Sequence, residues 1–159
     1  MKKIIYSLLF FFFSFTYIYA QHTSIKVNGL ELGQTYTDSQ IRDSLGIPTS
    51  VIPPSEDDVV PGVTVYLYNN NVFIFQNGIL TDFDIKSNQF KINNYLTVGM
   101  DFSAITQMGG ILTPSNTFGL YYWYPDENYR TQKGYAKIRI NTIDNKILSI
   151  NIESSILAL

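Results

Sequence analysis

Cysteine is absent from this chain of 159 residues. No disulfide, thiolate nucleophile or thiolate metal site can form, and lipid attachment through a cysteine is closed. The fold must be held by its apolar core. Histidine occurs once, as His22 in a polar stretch. Zinc sites and histidine-dependent acid–base or nucleophilic arrangements therefore have little to build on, and His22 reads as a surface residue. Charge is also sparse, at 15% of residues, with 11 basic against 13 acidic side chains. An acidic balance repels phosphate backbones and argues against nucleic acid as a partner. The cluster Glu56–Asp57–Asp58 lacks the spacing of an EF-hand loop and reads as a solvated acidic loop. No metal and no cofactor are expected.

One long apolar run is present, and it lies at the start. Lys2 and Lys3 precede the stretch Ile4 to Phe15, which is broken only by Ser7 and Ser14; a small residue, Ala20, then precedes Gln21. That three-part layout predicts a signal peptide over residues 1–20. The run is short for a bilayer span, so no integral membrane segment is expected after cleavage. The mature chain should be exported, periplasmic or extracellular, and not lipid-anchored. Without Lys2 and Lys3, nine basic residues face thirteen acidic ones, a net charge of −4.

The mature part carries an internal echo. Ile25–Lys26–Val27–Asn28–Gly29–Leu30–Glu31–Leu32–Gly33 returns as Phe90–Lys91–Ile92–Asn93–Asn94–Tyr95–Leu96–Thr97–Val98–Gly99. A unit of about 65 residues fits twice. The predicted domains are 21–88 and 89–159.

Each unit reads as a short helical region followed by three antiparallel strands. Thr37 and Gln40 form a capping box, Ile41 and Leu45 share a face, and Gly46 with Pro48 ends the first helix. Thr49 to Gly62 reads as a loop; strands follow at Val63–Tyr68, Val72–Phe75 and Ile79–Lys86, the last two joined by the hairpin signal Asn77–Gly78. In the second unit Asp101 is the predicted cap, and Phe102, Ile105 and Met108 form the apolar helix face. Ile111 to Thr117 reads as a loop, and strands follow at Leu120–Tyr124, Tyr135–Asn141 and Ile147–Glu153. The predicted class is α+β, with two tandem repeats on one continuous curved antiparallel sheet.

At the helices the chain resembles a family. Gly99–Met100–Asp101–Phe102–Ser103–Ala104–Ile105 with Gly110, and Leu45–Gly46–Ile47–Pro48, resemble the signature of the β-lactamase-inhibitor-protein-like fold, shared with the SmpA/OmlA outer-membrane small proteins. The resemblance implies a helical hairpin on a small antiparallel sheet, in tandem. Asp101 stands where threonine is usual, Leu112–Thr113–Pro114 displaces the expected proline, and the lipid-attachment cysteine is missing. No inhibitory residue carries over.

Alternation points to a binding surface. It places Val63, Val65, Leu67, Phe83, Ile85, Ile138, Ile140, Ile150 and Ile152 under the helices. The opposite face then holds Thr64, Tyr66, Tyr68, Asp82, Asp84, Lys137, Arg139 and Asn151, with either Tyr121/Trp123 or Tyr122/Tyr124. Exposed rings among both charge signs suit a protein interface. Tyr66, Tyr68, Trp123, Arg139, Tyr121 and Lys137 are the candidate binding residues. The predicted function is a non-enzymatic module that binds another protein through its helix-free face. The rivals are a structural or assembly component of the cell envelope, and a hydrolase using Asp82 or Asp84.

Overall fold

A computed structural model describes residues 24–56, 59–127, 135–141 and 144–153, with backbone alone for 135–141 and 153. The predicted signal segment, His22, Asp57 and Asp58 lie outside the described residues.

The chain is α+β. A small hairpin comes first: β1 (Lys26–Val27) and β2 (Leu30–Glu31) pair antiparallel. Asn28 and Gly29 join them at φ 44° and 91°, the left-handed values that a two-residue turn of this kind requires. Helix α1 (Asp38–Leu45) carries the predicted capping box, with Thr37 and Gln40 each bonding the other's backbone. Gly46 ends it, and its N–H donates to Arg42 O at 2.8 Å. Strands β3 (Ser50–Ile52), β4 (Val63–Tyr68), β5 (Asn71–Gln76) and β6 (Ile79–Ile85) follow. A one-turn helix α2 (Ala104–Gln107) precedes β7 (Ile111–Pro114), β8 (Leu120–Tyr124), β9 (Tyr135–Asn141) and β10 (Lys146–Glu153).

Eight of these strands share one antiparallel sheet in the order β3-β4-β5-β6-β10-β9-β8-β7. Each half thus supplies four strands rather than three. The extra strands, β3 and β7, fall within segments expected as loops, because proline and polar residues flank strands too short to show alternation. These are the edges. Pro48, Pro53 and Pro54 bracket β3, and Pro114 ends β7, which blunts both against further pairing.

The echoed segments meet in space. Asn28 N–H donates to Lys91 O at 3.0 Å, and Asn93 N–H donates to Lys26 O at 2.8 Å. Their side chains repeat the exchange. Asn93 Oδ1 accepts Lys26 N–H at 2.8 Å, and Asn28 Oδ1 accepts Lys91 N–H at 2.9 Å. Both asparagines sit at positive φ, 44° and 50°. Asparagine tolerates that region and aims its carboxamide at nearby backbone.

A second pattern recurs. Gly33 N–H donates to Leu80 O (2.8 Å), Leu80 N–H to Gln34 O (3.0 Å) and Tyr36 N–H to Gly78 O (2.8 Å). Later, Gly99 N–H donates to Ile147 O (2.8 Å), Ile147 N–H to Met100 O (2.9 Å) and Phe102 N–H to Asn145 O (2.9 Å). Each set straps the segment entering a helix onto the last strand of its half.

The core lies between the helices and one sheet face. Ile41 and Leu45 of α1, and Ala104, Ile105 and Met108 at α2, join Phe73, Phe75, Phe83, Ile85, Phe90, Ile150 and Ile152. Phe73 touches Tyr68, Phe83 and Phe90 with ring centroids 4.9–5.8 Å apart. Such tilted and edge-on pairs suit aromatic quadrupoles. Asp101 does not cap α2; Ser103 holds the cap position with no side-chain bond, and Asp101 pairs with Lys146 at 2.9 Å. The backbone turns once more between Asp101 and the helix, so the carboxylate is too far back to reach its first N–H groups.

Among the described residues, no helix is long and apolar enough to cross a membrane.

Candidate interaction surface

Register decides which side chains share a face. One rung runs Val51–Tyr66–Phe73–Phe83–Ile152–Ala136–Trp123–Leu112 across all eight strands. Phe73, Phe83 and Ile152 are core residues, so Tyr66 and Trp123 on the same rung face the helices. The next rung runs Ser50–Leu67–Val72–Asp84–Asn151–Lys137–Tyr122–Thr113 and belongs to the opposite, helix-free face.

Three expected anchors are therefore structural. Tyr66 is buried, and its hydroxyl donates to Asp38 Oδ1 on α1 at 2.8 Å. Arg42 Nε binds the other oxygen of the same carboxylate at 2.6 Å. These two bonds hold Asp38 below the usual carboxylate range, the guanidinium contributing most. Burial, followed by the bond to Asp38, pushes the Tyr66 hydroxyl up to about 12.

Tyr68 is 2% exposed, and its hydroxyl donates to Gly46 O at 3.2 Å. Trp123 is 1% exposed, and its Nε1–H donates to Gly109 O at 2.8 Å. In both halves a buried ring on the second strand ties its polar tip to a glycine carbonyl just past a helix. The Gly46 carbonyl is one of the orphan acceptors of its helix end. The Gly109 carbonyl lies one residue past the cap of α2, and a buried tyrosine or tryptophan needs such a partner. Tyr121 is half-buried and packs on Phe102 with centroids 4.4 Å apart. The aromatic strand thus buries its Tyr121/Trp123 side.

The placement of Tyr66, Tyr68, Trp123 and Tyr121 on the helix-free face is corrected accordingly. In β4 both alternating sets are apolar, so alternation gave the parity without the sign. Val63, Val65 and Leu67, expected inside, are half-exposed instead. Lys137 and Arg139 lie in β9 with register partners Tyr122 and Leu120; their side chains lie outside the described residues.

The helix-free face differs from the expected one in chemistry. In the first half it is aliphatic. Ile52 (51% exposed), Val65 and Ile74 form one rung that continues to Asp82, and Leu67 and Val72 lie on the rung that continues to Asp84. Asp84 is paired with Lys86 at 2.7 Å. Tyr122 and Tyr124, half-buried, represent the aromatics there. Further apolar exposure lies at loop tips, with Ile47 and Phe118 each 88% exposed. Among the described residues, no three histidine, cysteine or acidic side chains gather as metal ligands would.

No protein-family model matches this chain, and no curated protein does. Among solved structures it is similar to an extracellular protein containing an SCP domain from Bacillus anthracis strain Ames, at 11% identity and a TM-score of 0.44, over 77% of this chain and 43% of that one. It is also similar to a cysteine-rich secretory protein from Staphylococcus aureus subsp. aureus Mu50, at 14% identity and a TM-score of 0.46, over 85% of this chain and 47% of that one. The β-lactamase-inhibitor-protein-like resemblance is overturned. These two structures, an SCP-domain protein and a cysteine-rich secretory protein, have a different fold from the inhibitor and SmpA/OmlA proteins. The motif misled because its residues serve local backbone needs. Gly46, Gly99 and Gly110 sit at φ 87°, 90° and 80°, a requirement that turns and helix ends impose in many folds. The chain spans less than half the length of either match, and likeness at these values carries no functional argument.

Proposed function

We propose that this protein is an exported, non-enzymatic binding module that takes a protein partner on the helix-free face of its sheet. The observation that carries this reading is the cluster Ile52, Val65, Leu67, Val72 and Ile74, aliphatic side chains left partly exposed on adjacent registered strands. An apolar patch rimmed by Asp82, Asp84 and Lys86 has the composition of an interface core and its polar edge. Tyr122 and the β9 positions Lys137 and Arg139 extend the candidate surface into the second half. The signal-peptide layout of residues 1–20 supports export to periplasm or medium.

The same reading takes 21–88 and 89–159 as tandem units on one curved sheet. Its support is the recurrence of the helix straps, of the aromatic–glycine ties and of the reciprocal Asn28/Asn93 bonds. A superposition of the two halves in an experimental structure tests it, and different strand orders in the halves would refute it.

The binding reading is tested by affinity capture with the mature protein from the source envelope and medium. The captured partner is then titrated against Leu67→Ser, Ile74→Ser and Tyr122→Ala. At least one change should weaken binding by about 2 kcal/mol, as hot spots do, with the melting temperature held. If all three variants bind like the parent, the face is solvated surface and the partner sits elsewhere.

A further inference from the structure

We propose that Asn77 is a site of spontaneous side-chain amide loss, and that the fold selects it over an identical dipeptide. The sequence Asn–Gly occurs at Asn28–Gly29 and at Asn77–Gly78. Locally the two are alike. Each asparagine has positive φ, 44° and 50°, and each following glycine does too, 91° and 79°. In both, a glycine nitrogen with no neighbouring β-carbon can approach the preceding carboxamide.

The tertiary surroundings differ. Asn28 Oδ1 accepts Lys91 N–H at 2.9 Å, Nδ2 donates to Ser44 O at 3.4 Å, and the backbone N–H donates to Lys91 O at 3.0 Å. Its carboxamide is part of the clasp between the echoed segments and must leave its partners before it can react. Asn77 is exposed at the tip of the β5–β6 hairpin. Its backbone N–H donates to Gly62 O at 2.8 Å, and its carboxamide occupies the space that a β-carbon on Gly62 would need.

In the reaction, the Gly78 nitrogen gives its proton to solvent base and bonds to Asn77 Cγ. The Cγ–Nδ2 bond breaks, and Nδ2 takes a proton and leaves as ammonia. Water then opens the five-membered imide at either carbonyl, leaving an aspartyl or isoaspartyl residue at position 77. No oxidant or reductant is involved. The isoaspartyl product lengthens the main chain inside a two-residue turn. That displaces Gly78, whose carbonyl accepts Tyr36 N–H at 2.8 Å, next to the Thr35–Ile79 bridge. The modification therefore acts on the strap that delivers the chain into α1.

The test follows both positions in the folded protein held in mildly alkaline buffer, by peptide mass mapping and isoaspartate-specific enzymatic labelling. A parallel sample is kept in denaturant. In the folded sample Asn77 should convert about tenfold faster than Asn28 or more, the factor set by hydrogen bonds that must open first. In denaturant the two rates should converge. Equal or faster conversion of Asn28 in the folded protein overturns the proposal. So does an intact Asn77 in a folded sample whose denatured counterpart converts, and so does a rate gap that persists unchanged in denaturant.

Discussion

Replacing Tyr68 separates a structural pin from a binding anchor. Its ring is 2% exposed and makes edge contacts with Phe73 and Phe90, both at centroid distances of 5.5 Å. Tyr68→Ala removes a fully buried ring, and such changes cost about 3–5 kcal/mol. It also strips Gly46 O of its 3.2 Å donor. For a mature chain of about 140 residues, each kcal/mol lowers the melting temperature by roughly 3 °C, so a fall of about 10–15 °C is expected. Tyr68→Phe isolates the hydroxyl: the ring contacts stay, the carbonyl loses its partner, and the cost should be about 1 kcal/mol. Urea titration and differential scanning calorimetry of the two variants read these values directly. A Tyr68→Ala protein that melts with the parent would show that the ring lies outside the core and that α1 does not depend on it.

Three further outcomes are expected. Asn93→Gly keeps the positive φ but withdraws the acceptor from Lys26 N–H, and should destabilise by about 1–3 kcal/mol; a neutral result in urea titration would remove the clasp from the account. Ile105→Ala should cost about 2–4 kcal/mol, and an unchanged midpoint would mean that the second helix does not pack on the sheet. The Tyr66 hydroxyl titrates near 10 when unfolded and at about 12 when folded. A pKa raised by folding gives stability that is complete below the unfolded value and lost as pH rises through the folded one. Unfolding free energy should therefore decline from about pH 10 toward 12 in the parent, and less in Tyr66→Phe; identical profiles would refute the burial of that hydroxyl.

Much of the local structure was legible because its causes are local. The capping box at Thr37 and Gln40, the stop at Gly46 and the Asn77–Gly78 hairpin depend on side chains within a few residues of the backbone they serve. The faces of β6 and of β10 from Ile150 onward were legible for a related reason. Asp82 and Asp84 alternate with Phe83 and Ile85, and Asn151 alternates with Ile150 and Ile152, so polarity marks the wet side. Alternation also puts Leu148 inside with Ile150 and Ile152, whereas a register shift between Ile147 and Ser149 instead buries Ile147 and leaves Leu148 46% exposed. The candidate site was less legible. In β4, valine and leucine alternate with tyrosine, and either set could be buried.

The sequence by itself determined an α+β chain with little charge, no cysteine chemistry and a repeated asparagine-bearing segment. Its strand periods and helix ends follow from forces that act over one or two turns of chain. Only the tertiary structure decided what those elements face. Tyr66, Tyr68 and Trp123 look like interface anchors until Asp38, Gly46 and Gly109 are brought within 2.8–3.2 Å of their polar tips. Those partners lie 14 to 28 residues away along the chain. A ring that carries a hydroxyl or an indole N–H is buried where the fold supplies an acceptor, and spacing along the chain does not encode that supply.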